Sequence, residues 1–201
     1  GSGDFDAVAI CFLNGYLNPS HEESVARIVR DVDPQISITC SHEVTREFRE
    51  YERASTTTLA AYVQPVIEGY LGRFVEALAE KGFVGQFSVM QSNGGLADAD
   101  TFQGKDAVLS GPAGGVVGSA RSAAALGHDK VIGFDMGGTS TDISVYEDGF
   151  ERVTEADVAG TPLRVPMMDI HTVAAGGGSI IRFDQGRLQV GPHSAGADPG
   201  P

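Results

Sequence analysis

The sequence predicts an α/β protein with mixed sheets and flanking helices, and three observations carry that prediction. Asp6 to Leu13 is a near-continuous apolar run followed by an amphipathic stretch and a second apolar run, the pattern of a strand–helix–strand unit whose strands are covered on both faces. Val131 to Val145 is apolar up to Asp135, turns through Gly137 and Gly138, and resumes apolar/polar alternation after Asp142, which reads as strand, tight turn, strand. The last part of the chain continues in short apolar runs separated by glycine-containing turns, the mark of further hairpins.

Asn18-Pro19-Ser20 ends the first strand. Ser20 and Glu23 have the spacing of a capping box, opening a helix whose apolar face is Val25, Ile28, Val29 and Val32. After Pro34 a second strand covers Ile36 to Cys40, and the two strands are expected to be parallel with the helix on one face. Charge density rises from Ser41 to Ser55, and we read this stretch, His42 and Glu43 included, as a solvated surface. Ser55 and the three threonines after it read as the cap of a long helix reaching Lys81, kinked or restarted at Pro65. Its apolar side carries Leu59, Val63, Val66, Ile67, Tyr70, Leu71, Phe74 and Leu78.

Phe87 to Gln91 is a strand that empties into Ser92-Asn93-Gly94-Gly95, either a plain turn or a ligand loop at a strand's carboxyl end. Gly111-Pro112 opens a helix reaching Leu126-Gly127, with Gly114 and Gly118 on one face, which points to close helix packing. Beyond the central hairpin, Val145 to Asp148 and Glu151 to Asp157 flank the turn signal Asp148-Gly149. Met167 to Val173 is a strand candidate whose Asp169 and His171 face the same way. That pair has the chemistry of metal ligands or of an acid/base couple, and a structural hydrogen bond is the simplest reading. Gly176, Gly177 and Gly178 mark a place where backbone must approach something closely. Ile180 to Phe183 and Arg187 to Val190 form a last hairpin, with loop from Gly191 to Pro201.

The 201 residues are 41% hydrophobic, enough for a core, and carry a net charge of −13. Such acidity argues against a nucleic-acid footprint and against an anionic membrane surface, both of which need Lys/Arg clusters. No apolar run approaches the roughly 18 residues of a membrane span, and no signal-peptide pattern opens the chain, so we expect a cytoplasmic protein. Cys11 and Cys40 sit in strand-like contexts without a C-x-x-C spacing and are expected to be buried free thiols. Gly1-Ser2-Gly3 looks like a cloning remnant, and the chain ends in Asp198-Pro199-Gly200-Pro201, so we expect a fragment of a longer protein.

The central hairpin is the candidate site. Gly137 and Gly138 allow positive φ and close approach, so that consecutive N–H groups can converge on an anion, and phosphate is the anion this suits. Asp135, beside that turn, is the residue type that holds a hydrated Mg²⁺. The G-x-x-x-x-G-K-[ST] spacing of a P-loop is absent, and a strand pattern, not a helix, follows the turn. The alternative is an ordinary hairpin with Asp and Thr as turn formers.

The string Gly133-Phe-Asp-Met-Gly-Gly-Thr-Ser-Thr-Asp142 resembles the second phosphate hairpin of the actin/hexokinase/Hsp70-like ATPases, specifically of the hydantoinase A and 5-oxoprolinase family. Segments along the whole chain share the resemblance: Asn18-Pro-Ser-His-Glu22, Ser41-His-Glu-Val44, Met90-Gln-Ser-Asn-Gly-Gly95, Gly104-Lys-Asp-Ala-Val-Leu-Ser-Gly-Pro-Ala-Gly-Gly115, His171-Thr-Val-Ala-Ala-Gly-Gly-Gly-Ser179 and Val190 to Pro201. Gly104-Lys-Asp-Ala107, the form of the triple-glycine loop and Phe183-Asp-x-Gly-Arg187 look more like 5-oxoprolinase than N-methylhydantoinase.

The resemblance implies part of an actin-like ATPase fold. Residues 1–127 would be the remainder of a first lobe with a connecting helix at 113–127, and residues 128–201 the start of a second lobe carrying the phosphate hairpin. It implies ATP and Mg²⁺ as cofactors and ATP-driven opening of a small cyclic amide, 5-oxoproline to glutamate. Phosphorylating the lactam oxygen would turn it into a leaving group and let water attack the carbon. By motif position, Asp135 would hold Mg²⁺ through water. The backbone of Gly137, Gly138, Thr139, Ser140 and Thr141, with the Thr139 and Thr141 hydroxyls, would cradle phosphate. Gly176, Gly177 and Gly178 would lie near the nucleotide, and Asp142 would orient the loop or a water. Relatives carry an earlier Asp-x-Gly-Gly-Thr hairpin that this chain lacks, and a second large subunit or region of the hydantoinase B type takes part. This piece is therefore expected to be inactive alone, and the full protein to be an oligomer. A hydantoin-opening ATPase, a ketone carboxylase subunit of the same family and a non-catalytic nucleotide-binding module are the rival readings.

Overall fold

The computed structural model describes residues 5–158, 160–196, 198 and 200; Gly1-Ser2-Gly3, Pro199 and Pro201, about which the sequence raised expectations, lie outside them. In chain order the elements are β1 (Ala7–Ile10), α1 (Ser20–Val32), β2 (Ser37–Cys40), the short α2 (Ser41–Val44), α3 (Glu50–Glu80), β3 (Ser88–Met90) and β4 (Leu96–Asp98). They continue with α4 (Ser110–Ala125), β5 (Lys130–Met136), β6 (Thr141–Glu147), β7 (Arg152–Val153), β8 (Ala156–Val158) and β9 (Thr161–Leu163). The last are β10 (Met167–Met168), β11 (Ile170–Val173), β12 (Ser179–Asp184) and β13 (Arg187–Ser194). The chain falls into two compact units, Gly1–Ser110 with Val153–Met167, and Gly111–Arg152 with Met168–Pro201, so the expected boundary at 127/128 lies inside the second.

In the first unit β1 and β2 pair in parallel, Ala7 opposite Ser37 and Ile10 opposite Cys40, as a strand–helix–strand unit requires. Ile10, Ala26 and Cys40 form a buried cluster joined by Val8, Val25 and Ile38, so the core side of α1 runs through Ala26. Ile28 and Val32, expected on that side, are 61% and 76% exposed. The capping box does not form either: Ser20 is the first residue of the helix, and its N–H donates to the Asn18 side chain instead. Cys11 and Cys40 are free thiols, Cys11 half-buried and Cys40 buried. Burial, with the Glu43 and Glu22 carboxylates nearby, pushes the Cys40 thiol up to about 11.

Helix α3 begins five residues before Ser55, because the hydroxyls of Thr56, Thr57 and Thr58 bond back to the carbonyls of Glu52, Arg53 and Ala54 instead of capping. It runs through Pro65 without ending. The segment from Val153 to Met167 returns to α3: Ser55 Oγ donates to the Pro162 carbonyl at 2.9 Å, and the Arg164 N–H donates to Thr56 Oγ1 at 2.9 Å. Leu163, Val165 and Met167 form a second buried cluster against Leu59 and Leu109. Ser92 to Gly95 lie in the turn of an antiparallel β3–β4 hairpin.

The reading of Ser41 to Ser55 as solvated surface holds for Glu43, Arg46 and Arg49, which are exposed, and is overturned for Ser41, His42 and Arg53. Glu22, Ser41 and Arg53 have no exposed surface, and His42 is 7% exposed. Glu22 accepts from the Phe12 N–H at 2.9 Å and Ser41 Oγ at 2.6 Å through one oxygen. Its other oxygen meets the His42 N–H at 3.1 Å and His42 Nδ1 at 2.7 Å. The Arg53 guanidinium donates to Ser41 Oγ and to the carbonyls of Glu47 and Phe12. Buried charges are tolerable only when so fully bonded. Charge density along a chain does not reveal it, because the partners are up to 41 residues apart.

Candidate functional site

The second unit contains every residue singled out for phosphate. β5 and β6 pair antiparallel from Lys130 opposite Glu147 to Met136 opposite Thr141, and Gly137 to Ser140 close the turn. β11 lies on the other side of β6, with Thr172 opposite Asp142. Asp135 and Asp142 are directly opposed, so both carboxylates leave the same face of the hairpin. That face looks into a cavity of about 210 Å³ whose lining includes Asp135, Asp142, Gly133 and Ser144 from the hairpin and Pro112, Gly115 and Ser119 from α4. Asp142 accepts a hydrogen bond from Thr172 Oγ1 at 2.7 Å. Like charges directly opposed across a strand pair repel. Among the described residues neither carboxylate has an ion-pair partner. Two hard oxygen donors without a protein cation fit a hydrated Mg²⁺, which takes few protein ligands.

The turn itself differs from expectation in one respect. Neither Gly137 nor Gly138 takes a positive φ. What the missing side chains permit is the approach of the loop after β11. Gly177 N–H donates to the Gly137 carbonyl at 2.9 Å, and Gly178 N–H to the Gly138 carbonyl at 2.7 Å. A Cβ on Gly176 would stand 2.5 Å from the Gly137 oxygen and 2.8 Å from the Ser140 nitrogen, and one on Gly178 would stand 2.8 Å from the Gly138 oxygen. Buried Thr141 completes the junction, its hydroxyl donating to the Ala175 carbonyl at 2.6 Å. The single hydroxyl proton of Thr141 is thus committed to this loop. Gly137 N–H closes the turn onto the Ser140 carbonyl, and the N–H groups of Gly138, Thr139 and Ser140 have no acceptor among the described residues. Consecutive free donors at a turn tip are what an anion requires.

The junction makes a steric prediction. Gly176→Ala is expected to destabilise the parent protein by about 1–3 kcal/mol, since backbone atoms, not a mobile side chain, block the new methyl. Gly149→Ala, with nothing within 4 Å, is expected to be tolerated. Equal urea midpoints for the two variants would refute the backbone contact.

Three other readings of the sequence resolve here. Asp169 and His171 are both exposed, and among the described residues no hydrogen bond joins them and no cluster of three metal-ligating side chains is present. A Cβ on Gly118 would have nothing within 4 Å, so it is not a close-packing site; Gly115 is the α4 glycine that approaches the hairpin, 3.7 Å from Asp135 Oδ2 to its would-be Cβ. Thr172 escaped sequence reasoning. Its signal was its place one residue after His171 on a strand whose partner had not been identified.

The Hydantoinase/oxoprolinase family model matches residues 53–201. 5-oxoprolinase 1 of Arabidopsis thaliana is 44% identical over 96% of this chain and 15% of its own length. Caprolactamase subunit alpha of Pseudomonas jessenii is 41% identical over 97% of this chain, and the crystal structure of the ATP-dependent caprolactamase from that organism superposes with a TM-score of 0.83 over 98% of this chain and 29% of the other. A nucleotide-free structure of acetone carboxylase, from a study of ATP-dependent acetone carboxylation, superposes with a TM-score of 0.76 at 29% identity, over 97% of this chain and 28% of that one. The chain therefore spans less than a third of the length of each of these relatives. Among the described residues no helix is long and apolar enough to cross a membrane.

Proposed function

The chain belongs to the hydantoinase/oxoprolinase family, and on that premise we propose that its parent is an ATP-dependent enzyme opening a cyclic amide, 5-oxoproline to glutamate. In this reading the second unit, with the β5–β6 hairpin, belongs to the second lobe of an actin-like ATPase and forms part of its ATP site, and the first unit belongs to the first lobe. The parent would be a cytoplasmic, Mg²⁺-dependent oligomer working with a second large subunit or region, and this chain alone would be inactive.

The observation that carries the proposal is the meeting of two glycine loops, backbone on backbone, beside a pair of facing carboxylates. The N–H groups of Gly138, Thr139 and Ser140 would bind phosphate oxygens. Gly176, Gly177 and Gly178, with Thr141, would hold that turn in place. Asp135 would hold Mg²⁺ through water, and Asp142, steadied by Thr172, would orient the same water or the loop. Bound Mg²⁺ would offset phosphate charge that this acidic chain cannot neutralise itself. Positioning and charge placement of this kind are what phosphoryl transfer needs from a protein.

The test is ADP release by the parent, with its partner subunit, on 5-oxoproline, on hydantoin, on a ketone with bicarbonate, and on no substrate. Release tied to 5-oxoproline is expected. Release tied to hydantoin or to the ketone would reassign the substrate within the family, and ATP binding without turnover on any of them would make the parent a nucleotide-binding module.

A further inference from the structure

The three-stranded sheet of the second unit sets two rows of residues on one face. Thr172, Asp142 and Asp135 are directly opposed across β11, β6 and β5, and Ile170, Ser144 and Gly133 are directly opposed in a second row. Residues two apart on a strand point the same way, so both rows share the face that carries the two carboxylates. In the first row the Thr172 hydroxyl donates to Asp142. In the second row the Ser144 hydroxyl has no such neighbour, because Ile170 offers no polar side-chain atom and Gly133 no side chain at all.

Ser144 is only 8% exposed, and its hydroxyl makes no hydrogen bond among the described residues. It lines the cavity of about 210 Å³ beside α4 together with Asp135 and Asp142. Buried polar groups are rarely left without a partner, and one that opens on a cavity takes it from whatever fills the cavity. Gly133 is what leaves room for this hydroxyl. A Cβ at 133 would collide with Ser144 Oγ, although it would stand 3.8 Å from Ser144 Cβ, an ordinary contact. The missing side chain therefore makes space for one oxygen, on the same face as the facing carboxylates.

We propose that Ser144 is a third oxygen of the cation site, its hydroxyl holding a water of the hydrated divalent cation that Asp135 and Asp142 face. Gly133 is then the residue that keeps that hydroxyl in place. The inference rests on the reading of the hairpin given above. A divalent cation that keeps its waters presents their protons to its surroundings, so its site needs acceptors spread over an area. A serine oxygen has two lone pairs for such a proton and can turn its own proton to a neighbouring carboxylate.

The experiment is a titration of Mn²⁺ into the parent protein without nucleotide, the free ion being counted by electron spin resonance. Mn²⁺ takes the same oxygen ligands as Mg²⁺. Ser144→Ala is expected to weaken Mn²⁺ binding about tenfold, the worth of one charge-assisted hydrogen bond, while its urea midpoint holds or rises. Gly133→Ala is expected to lower the urea midpoint, and adding Ser144→Ala to it to restore the midpoint without restoring the affinity. A purely structural serine would leave Mn²⁺ binding unmoved. Affinity unchanged in Ser144→Ala but weakened in Asp135→Asn would overturn this inference and leave the assignment of the hairpin standing. Affinity unchanged in both, or no uptake by the parent, would overturn the cation site itself and the inference with it.

Discussion

Asp135→Asn in the parent protein is expected to lower the turnover number at least about 100-fold while leaving the protein folded. The asparagine preserves shape and removes one of the two charges that face the cavity between β5–β6 and α4. Opposed carboxylates repel, so the substitution relieves repulsion in the free protein while removing the proposed anchor for Mg²⁺. The two effects have opposite signs in two measurements: the unfolding midpoint without Mg²⁺ should hold or rise, and turnover at saturating ATP should collapse. Asp142→Asn should cost less turnover, because Thr172 can still hold an amide oxygen by the same hydrogen bond. Unchanged turnover in Asp135→Asn would leave the hairpin a structural turn and sink the assignment of the site.

Glu22→Gln carries the second large effect, on stability. It removes the buried carboxylate on which Ser41, His42 and the Phe12 N–H converge, in a group where Arg53 is fully buried, and breaking such a network costs about 3–5 kcal/mol. The amide would also point a donor at the N–H and hydroxyl donors that now converge on Glu22. Ile28→Gln, on the exposed side of the same helix, should be nearly neutral. Burial pushes the Glu22 carboxyl up, and the hydrogen bonds from Ser41, Phe12 and His42 more than offset it, holding it below the ordinary range. A depressed folded value means that its stabilisation is full above the unfolded value of about 4.3 and is lost as pH falls toward the folded one. Acid unfolding below that point should therefore be shallower in Glu22→Gln than in the parent. A variant with the parent's urea midpoint and acid profile would show the network to be dispensable.

How far the sequence could be read depended on the range of the interactions involved. The parallel β1–α1–β2 unit, the central hairpin and the hairpin at Gln185-Gly186 were legible because alternation and turn residues are local signals. Gln185 and Gly186 take the positive φ values that such a turn demands. The α1 cap was misread because Asn18 and Ser20 both carry a side-chain oxygen that can take an N–H at a helix start, and it is Asn18 that accepts the Ser20 N–H. The buried Glu22–His42–Arg53 group was illegible, since its members meet only in the fold, across separations of up to 41 residues, and a charged residue looks the same in sequence whether it faces water or a distant partner. For the site, the residues were visible and their assembly was not: nothing in the glycine spacing says that 176–178 lies against 137–138. The exposed Asp169 and His171 show the converse: the strand expected from Met167 to Val173 is broken at Asp169, between β10 and β11, and no hydrogen bond among the described residues joins the two.

The junction between those two loops also bears on how such a site can be read from variation. Because each surface presents main chain, its fit is specified by atoms that are missing, and no side-chain property can substitute. A saturation library of the parent, selected for function, should therefore give a single-letter outcome at 176 and 178, with charge, polarity and hydrophobicity all equally useless as predictors. At exposed Thr139, a few residues away, the same library should sort variants by chemistry in a graded way. Positions that tolerate one residue and positions that tolerate a class would then separate, without a structure, the parts of the site that shape the backbone from the parts that touch a ligand.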